Sequence, residues 1–206
     1  MTPNPDLPLG QPLTGDALSA ALAPLDTRRS VPFMALTEPG PDPSTLLRML
    51  TSATRVPDHG GRVPFRFISL RGDARRVFGE RLGDRHREAD ADVGDSAIAK
   101  DRDRYLHAPV IVVLVAQLAP DPKIPEQERL LTAGCTGFAL LQAAQAAGFG
   151  GCWLTGWAAY DRGVADMLGL EPHEHVIGFV HLGTPAREVP ERRRPDAGAL
   201  LSEWTP

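Results

Sequence analysis

Lysine is nearly absent. Of 22 basic residues only Lys100 and Lys123 are lysines, so arginine is the default cation and a lone arginine says little. Cysteine is as scarce: Cys135 and Cys152 are the only two. They form no CxxC pair, and no cluster has zinc spacing. Both sit among apolar and small residues, which reads as two buried, inert thiols. His173 and His175 form an H-x-H pair without a third ligand, so no metal is expected. Aromatics make up 6% of the chain and the net charge is −4. Neither favours nucleic acid as a partner. The longest apolar run, VIVVLVA at 110–116, is far too short to span a bilayer. The N-terminus lacks a basic segment followed by an apolar one, and a cytoplasmic protein is expected. There is no GxSxG elbow, HExxH, Walker loop or GxGxxG, so no motif names a nucleophile, zinc site or nucleotide loop.

What is present is proline, glycine and a substantial apolar fraction. Twenty of each of the first two and 42% hydrophobic residues in 206 fit one folded domain. Residues 1–12, with four prolines, read as a flexible arm, and 13–206 as the domain. Thr14 is placed to cap a helix through DALSAALAPL, and Ser44 a second one. VPFRFISLR at 63–71 alternates as a strand does. A helix follows at about 73–82, and the charged stretch 83–104 reads as an exposed helix or lid. PVIVVLVAQL at 109–118 reads as a strand buried on both faces. The helix at about 126–147 is apolar nearly all round, which predicts a central, buried one. Short strands at 150–157 and 175–183 flank a helix near 161–168. About four strands among helices give a layered domain of mixed α and β structure. Leu200, Leu201 and Trp204 in the tail suggest that it docks on something.

Four stretches carry candidate chemistry. Arg28, Arg29 and Ser30 match the oxygens of a phosphate, and equally the negative end of a helix. Arg55 and His59, on a loop stiffened by proline and glycine, can donate to a planar heterocycle or sit in solvent. In GFGGCWLTG the glycines let main-chain amides approach a ligand, though a helix stop explains the first of them. The late run AREVPERRRPD is the densest in cations, diluted by Glu188 and Glu191.

The order of these pieces is more specific than any one of them. RRS, then RVPDH about 25 residues later, KIPEQE opening the long helix, GFGGCWLTG closing it, and IGFVHLGTP near the end occur in sequence. That arrangement resembles the nitroreductase family of FMN flavoproteins over residues 25 to 196, closest to its small branch. The resemblance implies an α+β, three-layer α/β/α fold with a mixed central sheet. It implies a homodimer with two shared FMN sites, a C-terminal segment exchanged between subunits, and ping-pong reduction of nitroaromatic, quinone or similar acceptors by NADPH or NADH. By position, Arg28, Arg29 and Ser30 would hold the FMN phosphate and ribityl chain, with Arg192 and Arg194 completing the clamp. Arg55 and His59 would reach the flavin from the partner, and Trp153, Leu154 and Thr155 would line its ring. No catalytic side chain is implied. The motif's arginine between Trp and Thr is Leu154 here, and its glutamine before the Pro-aromatic pair is Val63. The alternative is a flavin-binding or ligand-binding protein without efficient turnover.

Overall fold

The computed structural model describes residues 12–206; positions 1–11 of the expected arm lie outside the described residues. In chain order the elements are α1 (Gly15–Asp26), β1 (Leu36–Thr37), α2 (Pro43–Ala53), β2 (Phe65–Arg71), α3 (Asp73–Ala89), α4 (Asp95–Arg104), β3 (Val110–Gln117), α5 (Glu126–Ala146), β4 (Gly150–Leu154), α6 (Arg162–Met167) and β5 (Glu174–Pro185). β2 pairs with β3, β3 with β5, and both β4 and β1 pair with β5. The sheet therefore has five strands, one more than expected. All of its pairings are antiparallel. The parallel neighbour of a mixed sheet is not supplied by this chain's described residues.

The unbroken apolar run of β3 has a direct cause. Ile111, Val113 and Val115 point to one face, where they pack with Phe78, Leu82 and Tyr105 beneath α3, α4 and α6. Val110, Val112 and Leu114 point to the other, against Leu46, Met49 and Leu140 of α2 and α5. Side chains alternate along a strand, so a strand covered on both faces has no polar position. These are the three layers. β5 carries a bulge at Ile177, since Leu114 faces Gly178 and Val115 faces Val176. Gly178 is there for space: a Cβ on it would collide with the Trp153 indole, which crosses it to give its Nε1–H to Ile177 O at 3.1 Å.

Local chemistry corrects several expectations. The cap of α2 is Asp42, not Ser44: its carboxylate accepts from the N–H groups of Ser44 and Thr45, and Pro43 occupies the first helical position. Thr14 flanks α1 but makes no side-chain cap bond. The charged stretch divides between the end of α3 and α4. α5 is not buried all round. Leu140 and Ala144 face the core, whereas Leu131, Cys135 and Phe138 lie on an exposed stripe. Cys135 is therefore accessible, and only Cys152 is a buried thiol, its pKa pushed up to about 12 by burial. α1 buries no residue at all, and its Leu18, Leu22 and Leu25 are bare. The tail leaves Leu200, Leu201 and Trp204 exposed, the last at 84%. No helix among the described residues is long and apolar enough to cross a membrane.

Candidate functional site

The arginine pair ends α1, and its position is set by the last turn of α5. Gln145 Nε2 donates to Pro24 O at 2.8 Å and to Thr27 Oγ1 at 3.1 Å. Val31 N donates to Gly151 O at 3.0 Å, which lays the segment beside the start of β4. The tail then returns to the same place. Arg194 Nη2 donates to Arg28 O at 3.1 Å, and Glu191 pairs with both Arg29 and Arg194. Arg28 Nη1 donates to Ser30 Oγ at 3.2 Å. The structure thus brings together Arg28, Arg29, Ser30, Arg192 and Arg194, from chain ends more than 160 residues apart.

Four guanidinium groups in one place repel each other. The Arg28 pKa is lowered, first by partial burial and then by the charges of Arg194, Arg192 and Arg29. Glu191 is the carboxylate paired with this group among the described residues. Its own pKa is held down, first by the Arg192 N–H and then by the arginines after the cost of desolvation. Beside the group lies a cleft of about 410 Å³ lined by Leu25, Asp26, Arg28 and Arg194. Arg29 faces a second one, of about 570 Å³, between Val31, Gln145, Gly151 and Val189. A surplus of cations around open space favours anions by elementary electrostatics.

β4 leads from this cluster to the glycine turn. Thr155 lies four positions on from Gly151, about 13 Å at strand rise. The Trp153 side chain is partly buried, with its indole held over Gly178. Leu154 is partly buried with Val31, Leu36 and Cys152. What this segment can offer a ligand is its main chain and Thr155, which is exposed. Gly156 has φ 103° and ψ −175°, a conformation that suits glycine. Among the described residues nothing accepts a hydrogen bond from the N–H of Thr155 or Gly156. The turn is held from behind by α4: Trp157 Nε1 donates to Asp101 Oδ2 at 2.8 Å, and His86 Nδ1 lies 2.6 Å from the same oxygen.

Arg55 and His59 are elsewhere. His59 Nδ1 lies 2.7 Å from Glu128 Oε2, and Thr132 Oγ1 donates to Pro57 O at 3.0 Å. Both contacts tie this loop to the first turns of α5, while the arginine cluster sits at its last turn. Helical rise from Glu128 to Gln145 is about 25 Å. Within one chain the two groups do not share a ligand. Glu191, read from the sequence only as diluting the cationic run, pairs within the cluster. Asp101 and His86, which hold the glycine turn, were not singled out, and nothing local distinguishes them from a solvated charge run.

The Nitroreductase family profile matches residues 25–184. A protein of Escherichia coli K12 named as an NAD(P)H nitroreductase, YdjA, is 35% identical over 165 residues, covering 80% of this chain and 88% of the relative. Among solved structures, a nitroreductase-like family protein from Bacillus cereus superposes with TM-score 0.77 at 19% identity, covering 94% of this chain and 98% of the other. A Desulfovibrio desulfuricans nitroreductase solved with FMN gives TM-score 0.69 at 22% identity, covering 90% and 97%. With its ordered motifs, three-layer fold and matching profile, the chain belongs to the nitroreductase family.

Proposed function

We propose that this chain is an FMN-dependent oxidoreductase of the cytoplasm that takes electrons from NADPH or NADH and passes them, by a ping-pong sequence, to nitroaromatic, quinone or similar acceptors. The observation that carries the reading is the arginine cluster built from both ends of the chain, with unpaired main-chain donors about 13 Å along β4. Those residues fit FMN. Arg28, Arg29, Arg192 and Arg194 are set to hold its phosphate, Ser30 its polyol, and the N–H groups of Thr155 and Gly156 its ring edge. FMN, when bound, supplies the electron-pair chemistry, and the protein supplies orientation and hydrogen bonds. On phosphate binding Glu191 gives up part of its hold on Arg29 and Arg194.

The working unit of this proposal is a two-fold dimer. Arg55 and His59 lie at one end of α5 and the arginine cluster at the other. The exposed stripe of Leu131, Cys135 and Phe138 runs between them, and α1, which packs on α5, leaves its leucines exposed. Packing two copies of α5 antiparallel along that stripe brings the loop of one chain to the arginines of the other. It also covers apolar surface that the single chain leaves in water. The tail, with Leu200, Leu201 and Trp204, crosses to the partner in the same assembly.

The test is spectroscopic. Purified protein with one FMN per chain should show flavin absorbance that NADPH or NADH bleaches without oxygen, and that a quinone or nitroaromatic restores. Steady-state rates against both substrates should give parallel double-reciprocal lines. Protein that binds no FMN at micromolar concentration overturns the reading. Protein that binds FMN but is bleached by neither nicotinamide is instead a flavin-binding protein without turnover.

A further inference from the structure

His181 stands apart among the buried polar side chains. Asp101, Arg129, Thr132, Thr136 and Glu174 each hydrogen-bond to another described group. His181 is fully buried, and among the described residues neither of its ring nitrogens has a partner. The charges that act on it are both cationic, Arg104 at the end of α4 and His107 in the segment before β3. A buried imidazole without a partner is costly, and an imidazolium in its place would cost far more.

Its neighbours come from both halves of the candidate site. On β5 it is paired across the sheet with Cys152 of β4 and with Ile111 of β3. Over that row the Phe33 ring lies 5.9 Å away and the Tyr105 ring 5.6 Å. Phe33 opens the turn Phe33–Ala35, just after Ser30 of the arginine cluster. Tyr105 follows the last residue of α4, the helix that holds the glycine turn through Asp101 and Trp157. The imidazole is thus wedged where the two halves join. Tyr105 and Cys152 are buried, whereas Phe33 is half-buried, with the exposed His107 ring 5.5 Å from it. The enclosure is therefore weakest at the Phe33 turn.

Resting on the FMN reading above, we propose that His181 is a positioning residue: its neutral ring joins the arginine side of the site to the glycine-turn side, and a proton taken from solvent opens that joint at the Phe33 turn and releases the cofactor. Burial, and then the charges of Arg104 and His107, hold its pKa down from 6.5 to about 3. Burial pushes the Cys152 thiol up to about 12 and raises the Tyr105 phenol as well, so neither supplies a negative charge. The closed form excludes the proton and the opened form accepts it. The closed form is therefore secure above about pH 6.5, and below that value the opened form gains up to about tenfold per pH unit.

The experiment times FMN release from the holoprotein, by the return of free-flavin fluorescence on dilution, for wild type, His181→Phe and His181→Gln. Between about pH 7.5 and about pH 5, release through the opened form should speed up about 30-fold in wild type, tenfold for each unit below about 6.5. The FMN phosphate has its own proton equilibrium near pH 6, which all three proteins share. Phenylalanine and glutamine do not titrate, so the wild-type rate should rise at least about tenfold more than that of either variant. Rates that rise in parallel overturn the proposal, and a changed melting temperature with parallel rates leaves His181 as packing alone. If His181→Phe does not fold, His181→Gln decides by the same comparison. Wild type that holds FMN and releases it no faster in acid fails this proposal alone. Wild type that takes up no FMN near neutral pH fails the FMN reading itself, and with it this proposal.

Discussion

Replacing Arg28 by alanine separates a ligand-binding role from a helix-end role. The substitution removes one of four clustered guanidinium groups. It leaves the Arg28 carbonyl, which holds Arg194, in place. A hydrogen bond to a charged group contributes about 1.5–3 kcal/mol. At about 1.4 kcal/mol per factor of ten, FMN should bind roughly 10- to 100-fold more weakly. The flavin-free protein should behave in the opposite sense. Arg28 is disfavoured there by partial burial and by Arg194, Arg192 and Arg29, so its loss relieves repulsion by at most about 1 kcal/mol. The melting temperature without FMN should stay level or rise slightly. Fluorescence titration of FMN gives the affinity, and thermal melts of flavin-free protein give the stability. Raising ionic strength from 0.1 M to 1 M shortens the screening length from about 10 Å to about 3 Å, and should narrow the gap between wild type and variant. An affinity within about twofold of wild type at low salt would falsify the clamp. A fall in melting temperature without change in affinity would leave Arg28 as a helix-end cation.

The dimer is tested by mixing Arg28→Ala chains with His59→Ala chains. A shared site predicts one intact site per mixed dimer and flavin content of about half of wild type in that species; mixed dimers no better than either parent would sink it. Gly178→Ala should lower the melting temperature by several degrees, because the new methyl meets the Trp153 indole and overpacking costs about 1–3 kcal/mol. Calorimetry that shows no change would mean that the indole has room to move. Glu174, buried against Arg66, has its pKa lowered from 4.5 to about 2, chiefly by the Arg66 hydrogen bond. A depressed carboxylate contributes stability that is full above its unfolded pKa and is lost as pH falls through the folded one. Denaturant melts should therefore weaken between pH 4.5 and 2, and Glu174→Gln should flatten that part of the curve.

The fold was legible where burial is two-sided or alternating. β3 and β5 announced themselves by apolar runs, and the core side of α5 by its small and apolar residues. β1 was not legible. It is two residues long and exists only because Leu36 meets Pro185 and Thr37 meets Thr184, a contact that no local window contains. The bare face of α5 was misread for a related reason: Leu131 and Phe138 look the same in sequence whether their own core or another surface covers them. In the α2 cap, Asp42 and Ser44 are both good cap residues, and only the geometry of Pro43 at the first helical position decides between them. The meeting of the two arginine stretches was suggested by the order of the motifs rather than any single one, since arginine is common throughout this chain.

The length of α5 acts as a gauge. It holds the His59 loop and the arginine cluster about 25 Å apart, and the stripe between them repeats with the helical turn. Deleting four residues from its middle would shorten the helix by about 6 Å while returning nearly the same face to the outside. In the antiparallel pairing proposed above, the same deletion in both chains would shorten both helices alike and leave the ends in register, whereas a mixed pair of shortened and full-length chains would miss by about 6 Å at one end. Such mixed pairs should therefore separate assembly from cofactor binding, whereas the exposed tip of the tail around Trp204 sets no such distance.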